Sequence, residues 1–204
     1  MTPARVIVCL VIGYLFGCFQ TGYLYGRVVK KDDIRKHGSG NVGTANIIRT
    51  YGKKAGYLVY ALDTFKVILA IIIVRIVIYG GEPNNALLGM ITGLGAVCGH
   101  NWPFYLHFKG GKGIAATSGV MMTLGVWIII IELLAFFVPY YFTRIVSVGS
   151  LVLTGVFPFL ILIFYPGQTA MFLIALILAV MAWIQHRTNI VRLLNGTESS
   201  FRKK

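Results

Sequence analysis

The chain has 204 residues, of which 57% are hydrophobic and only 12% are charged. So few charged residues cannot cover a soluble domain, and we expect one membrane-embedded, all-helical domain over residues 1–204. The net charge of +13 would suggest a nucleic-acid partner in a soluble protein. Because most of the cations lie in loops between apolar runs, they indicate membrane topology and binding of anionic lipids or phosphorylated ligands, and no nucleic acid.

The first apolar run, at about 6–25, predicts a membrane-spanning helix. It lacks the cleavage site of a signal peptide and is too long for one, so we expect it to be retained. The loop at 27–54 carries eight Lys or Arg residues, so the positive-inside rule predicts that this loop is cytoplasmic and the N-terminus outside. Recurring glycines predict close approach of a neighbouring helix, namely Gly13, Gly17, Gly22 and Gly26.

A second span is predicted at about 57–79, and it contains three charged residues, Asp63, Lys66 and Arg75. Charges near the centre of a span cost about 2.5–3.5 kcal/mol each, so they require partners or a wet cavity. Asp63 and Lys66 are three residues apart on one helical face, which predicts that they pair.

The remaining apolar runs allow two topologies. A short outer turn at 80–85 leads to a third span at about 86–98, followed by a basic and therefore cytoplasmic loop at 99–113. The runs at 114–142 and 151–183 each predict either one long span or two shorter ones. Dividing both runs gives seven spans, and merging both gives five.

We favour seven spans, with the C-terminus cytoplasmic. Division places the segment 143–150 inside, where it adds donors and a cation to the cytoplasmic face through Arg144, Ser147 and Ser150. It also places all Lys and Arg residues but Arg5, Lys66 and Arg75 in the cytoplasm. The predicted break points are Gly125 and Val126 in the first run, and Pro158, Pro166 and Gly167 in the second.

The loop at 37–56 is the strongest candidate for a ligand site. Glycine backbones let N–H groups turn toward a common centre and form an anion-binding nest. Arg49, Lys53 and Lys54 follow as fixed cations, and the combination suits a phosphate ester. The glycines are Gly38, Gly40 and Gly43, and they alternate with the polar residues Ser39, Asn41 and Asn46.

Two glycine motifs resemble nucleotide-binding sequences by letter only. Residues 38–43 match G-x-G-x-x-G, but they lie between two spans and follow no strand. Residues 109–113 are not a P-loop, because Leu106 stands at the position of its first glycine. Their two lysines around paired glycines predict a second phosphate clamp, and the alternative is a basic loop lying on anionic headgroups.

Polar residues at the predicted cytoplasmic ends of spans complete the candidate site. These are His100, His186, Asn189 and Arg192, with Glu198 placed to orient Arg192 or a loop cation. The chain has no recognisable nucleophile pattern, and its few acidic residues are too scattered for a metal site. The chemistry would therefore depend on positioning two substrates and stabilising negative charge, without a covalent enzyme intermediate.

The segments 39–46, 99–113 and 186–198 resemble, in order, the three motifs of the bacterial acyl-phosphate:glycerol-3-phosphate acyltransferases, the PlsY family. The resemblance covers essentially the whole chain. It implies catalytic roles for Lys112, His100, His186 and Asn189. It also implies substrate contacts, chiefly to phosphate, from Ser39, Gly40, Asn41, Gly43, Thr44, Asn46, Arg49, Lys109, Gly110, Gly111, Gly113, Ser147, Ser150, Arg192 and Glu198.

The resemblance further implies the reaction and its setting. An acyl group would pass from acyl phosphate to the 1-hydroxyl of glycerol 3-phosphate, giving lysophosphatidic acid and inorganic phosphate. The protein would have seven helices in the bacterial cytoplasmic membrane, its active site on the cytoplasmic face, and no cofactor. One departure is Val67, which follows Lys66 where the family tends to have a glycine suited to close helix packing.

We expect Lys112, Arg49 and the 38–43 loop to contact phosphate, and the acyl chain to lie in a groove that opens to the bilayer. His186, His100 or a substrate phosphate oxygen would accept the glycerol hydroxyl proton. The main alternative function is a transporter or flippase for an anionic lipid. Clustering of the polar groups on one face argues against it. A lipid phosphatase would need a histidine nucleophile within an arginine-rich constellation, which the chain lacks.

Overall fold

The computed structural model describes residues 1–80 and 85–201, and over these ranges the chain is helical without strands. The predicted outer turn at 80–85 lies largely outside the described residues. Short 3₁₀ helices occur at Ile34–Lys36 and Phe104–Leu106, and a π-helical segment at Ile73–Ile78 continues the fourth helix. The α-helices are α1 Pro3–Gly17, α2 Thr21–Val28, α3 Thr44–Tyr51, α4 Lys53–Ile72, α5 Asn85–Asn101, α6 Ile114–Met122, α7 Val126–Thr143, α8 Val146–Phe164, α9 Thr169–Gln185 and α10 Arg187–Leu194.

The chain forms two compact units. Unit 1, Met1–Thr123, contains α1 to α6, and unit 2, Leu124–Lys204, contains α7 to α10. The boundary coincides with the break between α6 and α7, so the predicted first and second motifs belong to unit 1. The third motif and the 143–150 segment belong to unit 2.

Three helical stretches in the described residues are long and apolar enough to cross a membrane, namely Pro3–Val28, Val126–Thr143 and Val146–Phe164. A fourth results if α9 and α10, which meet at a bend of 61°, count as one span. Helix α6 has nine residues, so it is about 14 Å long at ~1.5 Å per residue and does not cross ~30 Å of hydrocarbon alone. The count of seven spans therefore stays a prediction.

Both ambiguous runs divide into two helices. The first breaks at Gly125, whose φ of +152° is a conformation that side chains rarely adopt. The second breaks before α9, where Gly167 has a φ of +77°. The expectation that Pro158 breaks a helix is wrong, because Pro158 lies inside α8. A proline removes only one helical hydrogen bond, and helices in membranes accommodate that loss.

Helices α1 and α5 approach closely because each presents glycine backbone to the other, which confirms the expectation for Gly13 and Gly17. A Cβ on Gly13 would lie 2.0 Å from the Thr92 carbonyl oxygen, and one on Gly17 equally close to that of Ala96. Gly95 and Gly99 of α5 meet α1 in the same way, near the carbonyl oxygens of Leu10 and Tyr14. Close backbone contact of this kind holds helices together in lipid, where no hydrophobic force does so.

We expect Gly17→Ala to lower the stability of the protein by about 1–3 kcal/mol, since the added methyl group must push two backbones apart. The matched control is Val11→Ala, at a side chain of α1 that is half exposed. Thermal unfolding of both variants in the same detergent checks this. Equal melting temperatures would show that α1 and α5 do not need this contact.

The departure at Val67 has a structural counterpart. Val67 is fully buried on α4, and it faces Gly119 of α6. A Cβ on Gly119 would lie 3.0 Å from the Val67 Cβ. The glycine that permits close packing of these two helices is therefore on α6 in this chain.

Candidate active site

Asn46 gives the first glycine loop its shape. Its side chain is buried at the start of α3, and its Oδ1 accepts a hydrogen bond from the Ser39 N–H at 2.9 Å. Its Nδ2 donates to the carbonyls of Asn41 at 2.8 Å and His37 at 3.0 Å. Gly38 has a positive φ, and its Cα lies against Asn46, because a Cβ there would be 2.2 Å from the Asn46 Oδ1. One amide side chain thus closes the loop.

The expected anion nest is not formed by the N–H groups of Ser39, Gly40 and Gly43. The Gly40 N–H donates to the His37 carbonyl and the Gly43 N–H to the Asn41 Oδ1, both at 2.9 Å, and Asn46 accepts from Ser39. These three N–H groups therefore hold the loop together, and polar side chains of the segment are further candidates to meet a ligand. Those of Ser39 and Arg49 are exposed and that of Thr44 is half-buried.

The first loop is fastened on its N-terminal side by two aspartates that sequence reasoning missed. Asp33 caps the 3₁₀ helix Ile34–Lys36 and pairs with Arg35 at 2.7 Å and Arg27 at 2.9 Å. The hydrogen bond from Arg35 holds the pKa of Asp33 well below its usual range. Asp32 contacts the His37 Nε2 at 2.7 Å, next to the glycine loop. The only indication of these pairs in the sequence is that acidic and basic residues lie close together at 27–36.

The second glycine loop is bound to the C-terminal end of α5. The N–H groups of Gly110 and Gly111 donate to the carbonyls of Asn101 at 3.0 Å and His100 at 2.9 Å, which a helix end leaves without helical partners. These two N–H groups are therefore already hydrogen-bonded within the protein. The lack of side chains at both glycines lets the loop pack closely against His100. A Cβ on Gly110 would lie 2.1 Å from the His100 carbonyl oxygen, and one on Gly111 would lie 2.0 Å from the His100 Nε2.

The lysines of the second loop remain its candidate ligand groups. Lys109 is exposed and Lys112 is half-buried, immediately before Gly113, which is the N-cap of α6 and has a φ of +82°. The two glycine loops are joined directly, because the Asn41 Nδ2 donates to the Gly110 carbonyl at 3.2 Å. Contact of either lysine with phosphate stays a prediction.

Asp63 and Lys66 pair as predicted, with the Lys66 Nζ 2.7 Å from the Asp63 Oδ1. The Thr21 hydroxyl donates to the same oxygen at 2.9 Å. The Lys66 Nζ also reaches the Phe19 carbonyl at 2.5 Å and the His100 Nδ1 at 3.1 Å. Both charges are buried, and this network supplies the partners that charges in a membrane require. Sequence reasoning identified the pair but not its link to His100.

In unit 2, three donors converge on the carboxylate of Glu198. The Asn189 Nδ2 donates to its Oε1 at 2.6 Å, and the Ser147 hydroxyl to the same atom at 3.0 Å. The Arg192 Nε donates to the Oε2 at 2.6 Å, so Glu198 orients Arg192 as expected. The Ser150 hydroxyl instead donates to the Val146 carbonyl of its own helix.

His186 lies at the junction of α9 and α10 and is buried. Its Nδ1 is 2.8 Å from the Ala182 carbonyl oxygen, and a carbonyl only accepts hydrogen bonds. The Nδ1 therefore carries the proton of the neutral ring, and the lone pair is on Nε2. The spacing of three residues from His186 to Asn189 and again to Arg192 places all three on one side of the chain here.

Comparison with known proteins decides the family. The family model described as glycerol-3-phosphate acyltransferase matches residues 7–196. The chain belongs to this family.

Its relatives match over nearly their whole length. The glycerol-3-phosphate acyltransferase of Thermoanaerobacter pseudethanolicus is 41% identical, covering 97% of this chain and 96% of the relative, and that of Clostridioides difficile is 36% identical over the same shares. The crystal structure of PlsY, an integral membrane glycerol 3-phosphate acyltransferase, in its glycerol 3-phosphate form has a TM-score of 0.85 at 32% identity, covering 97% of this chain and 96% of that one. Its lysophosphatidic acid form gives 0.83 at 31% identity, with 97% and 95% covered. The acyltransferase is therefore a multi-pass integral membrane protein.

The Glu198 cluster of this acyltransferase predicts a pH dependence. Burial alone would raise the pKa of Glu198, but hydrogen bonds from Arg192, Asn189 and Ser147 together outweigh it and lower the pKa. A carboxyl group with a lowered pKa stabilises the fold above its unfolded pKa of about 4.3, and this stabilisation is lost as the pH falls through the folded pKa.

We therefore expect Glu198→Gln to destabilise the acyltransferase at pH 7 and by the same amount at pH 6. The difference from the unchanged protein should shrink only below about pH 4.3, where the unfolded chain takes up the proton. Thermal unfolding of both proteins across this pH range checks the prediction. A difference that already disappears between pH 7 and 6 would contradict it.

Proposed function

We propose that this acyltransferase uses acyl phosphate as its donor and transfers the acyl group to the 1-hydroxyl of glycerol 3-phosphate. The products are then lysophosphatidic acid and inorganic phosphate. The observation that carries the proposal is the hydrogen bond from Asn41 to Gly110. This hydrogen bond connects the two glycine loops. The segments that contain Arg49, Lys109 and Lys112 are therefore linked to one another. Such an arrangement suits two phosphorylated substrates, which need fixed cations at the membrane surface.

The proposed setting is the bacterial cytoplasmic membrane, with seven spans, the N-terminus outside and the C-terminus cytoplasmic. The distribution of Lys and Arg supports this orientation, because the loops at 27–54 and 99–113 and the tail from 186 hold most of these residues. The glycine loops are then at the cytoplasmic face, where the phosphate groups of both substrates meet water.

The proposed step is a direct acyl transfer. The 1-hydroxyl oxygen of glycerol 3-phosphate attacks the acyl carbonyl carbon, and the bond from that carbon to the phosphate oxygen breaks. Inorganic phosphate leaves with the electron pair of this bond. Cations at Lys112 and Arg49 stabilise the charge that develops on the leaving phosphate, so the enzyme needs no covalent nucleophile.

The hydroxyl must also lose its proton during attack. His186, His100 and a phosphate oxygen of the substrate are the candidate acceptors. The lone pair on the His186 Nε2 makes this nitrogen chemically able to take a proton. Glu198 also helps to order the segment after His186, because its carboxylate binds the side chain of Asn189 three residues further along the chain.

The acyl chain of the donor would lie in a groove between α1 and α4, in unit 1. The groove has a volume of about 440 Å³, and its apolar lining comes from Leu15, Phe16, Phe19, Leu62, Phe65 and Leu69. Thr21 and Lys66 also border it. Apolar walls with a polar border match a lipid whose reactive end is charged.

We expect Leu62→Trp to impair use of long acyl donors more than short ones, because the larger ring fills part of the groove. The KM for a long-chain acyl phosphate should rise several-fold more than that for a short-chain one. The control is Val180→Trp, at a half-exposed position of α9 in the other unit. An equal effect on both donors would contradict the proposal that the acyl chain binds in this groove.

Comparison of three donors tests the proposed function. Purified enzyme in detergent is given glycerol 3-phosphate with acyl phosphate, acyl-CoA or acylated acyl carrier protein. The proposal expects lysophosphatidic acid from acyl phosphate alone. Product formed equally well from acyl-CoA would overturn the assignment of the donor and leave the family unaffected.

A further inference from the structure

The buried network around Lys66 determines the protonation of a histidine. The Lys66 ammonium has three protons and three acceptors within 3.1 Å, which are the Phe19 carbonyl oxygen, the Asp63 Oδ1 and the His100 Nδ1. An ammonium group only donates hydrogen bonds, so the His100 Nδ1 must accept one. The Asp63 carboxylate, with its Oδ1 2.7 Å from the Nζ, is the charged partner of this ammonium.

This contact fixes the tautomer of His100. A neutral imidazole that accepts at Nδ1 carries its proton on Nε2. A second proton on Nδ1 would face the Lys66 ammonium at 3.1 Å, so the charged ring is excluded while Lys66 is present. Asp63 also faces the ring, but it lies farther away, with its Oδ1 3.8 Å from the His100 Nδ1.

The protonated Nε2 faces the second glycine loop. Its closeness to Gly111 is such that a Cβ there would overlap the ring nitrogen, at 2.0 Å. The same residue binds the backbone of His100, through the hydrogen bond from its N–H to the His100 carbonyl at 2.9 Å. The His100 ring and the glycine loop are therefore held in a fixed relative position. Gly111, where they meet, directly precedes Lys112 in the chain.

We propose that Asp63 and Lys66 are positioning residues that hold His100 as its Nε2–H tautomer against the glycine loop, so that the His100 Nε2 presents a proton and His100 is not the general base. His186 has the opposite tautomer, because its Nδ1 donates to the Ala182 carbonyl. The two histidines therefore differ in what they offer at Nε2, a proton in one and a lone pair in the other. The consequence for the base rests on the proposed function, whereas the tautomer of His100 does not.

Nitrogen-15 NMR of the histidine rings tests the tautomer directly. The protein has four histidines, and His100→Gln identifies the signals of His100 in the lipid-embedded protein. We expect a protonated Nε2 and an unprotonated Nδ1 across the neutral pH range. A protonated Nδ1 would overturn the proposal whether or not the enzyme uses acyl phosphate.

The functional role is tested with an uncharged pair. Lys66→Met alone leaves the Asp63 charge buried without its partner, so misfolding of that variant is expected. The double variant Asp63→Asn, Lys66→Met removes both charges at similar volume, and such replacements commonly preserve folding. It nevertheless lacks the donor to the His100 Nδ1.

We expect the double variant to keep its melting temperature within a few degrees and to show a mixture of His100 tautomers. Its kcat should fall about 10²-fold, the effect of a misplaced group at a reacting centre, with the KM for glycerol 3-phosphate changed far less. The control is Arg75→Met, which removes another intramembrane cation that contacts Asn85 and Thr123 instead. A double variant with unaltered kcat would overturn the positioning role, because the pair would then serve folding alone.

Discussion

Lys112→Ala is expected to reduce turnover of acyl phosphate by at least about 10²- to 10³-fold, as removal of a single charge-stabilising donor does in other enzymes. Lys112 is half-buried between the loop glycines and the start of α6. A cation in that position is shielded from water on one side, so its attraction to a phosphate is stronger than that of an exposed lysine. We expect the variant still to fold, because the N–H groups of Gly110 and Gly111 bind the loop to the end of α5.

The control for Lys112→Ala is Lys36→Ala. Lys36 is an exposed cation in the basic segment before the first glycine loop, and its loss changes the net charge equally. We expect it to retain nearly full turnover. Lys112→Arg should recover only part of the activity, because a guanidinium differs from an ammonium in shape and hydration. Substantial turnover in Lys112→Ala, measured as phosphate release, would contradict a role of this lysine in catalysis.

Gly111→Ala is the second change with a large expected effect. The added methyl group would occupy the position of the His100 Nε2, so either the ring or the loop must move. Movement of the ring breaks its contact with Lys66, and movement of the loop breaks the hydrogen bond to the His100 carbonyl. We expect a loss of about 10²-fold in kcat, the order of effect that misplacement by about 1 Å produces.

A matched glycine shows whether this effect is local. A Cβ on Gly155 of α8 would lie 3.5 Å from its nearest neighbour, Trp183, so Gly155→Ala should leave kcat and melting temperature nearly unchanged. Combining Gly111→Ala with His100→Ala removes the overlap. The double variant should not regain turnover, because the ring itself is then missing. A fully active Gly111→Ala variant would show that the register of ring and loop does not matter for the reaction.

Features that depend on local spacing could be predicted from the sequence. The pair Asp63–Lys66 follows from a separation of three residues on a helix, and its distance of 2.7 Å confirms it. The close approach of a neighbouring helix to α1 follows from Gly13 and Gly17, because close helix packing in lipid requires small residues. Arg192 was one of the two partners expected for Glu198, and the structure forms this pair.

Features that depend on contacts between distant segments could not be predicted. The link from Lys66 to His100 joins residues 34 positions apart, and nothing in either segment indicates it. The first glycine loop was predicted to bind phosphate through backbone N–H groups, but the N–H groups of Ser39, Gly40 and Gly43 donate to acceptors within the loop and α3. The sequence shows which hydrogen-bond donors a loop contains. Only the structure shows which of them already donate to acceptors within the protein.

The most direct measurement of the central claim follows two products of one reaction. Purified protein in detergent or a lipid mesophase receives acyl phosphate with and without glycerol 3-phosphate, and inorganic phosphate and lysophosphatidic acid are quantified together. We expect phosphate release that requires glycerol 3-phosphate and equals lysophosphatidic acid formation mole for mole. Phosphate released at the same rate without glycerol 3-phosphate, or substrate bound without any release, would contradict acyl transfer from acyl phosphate.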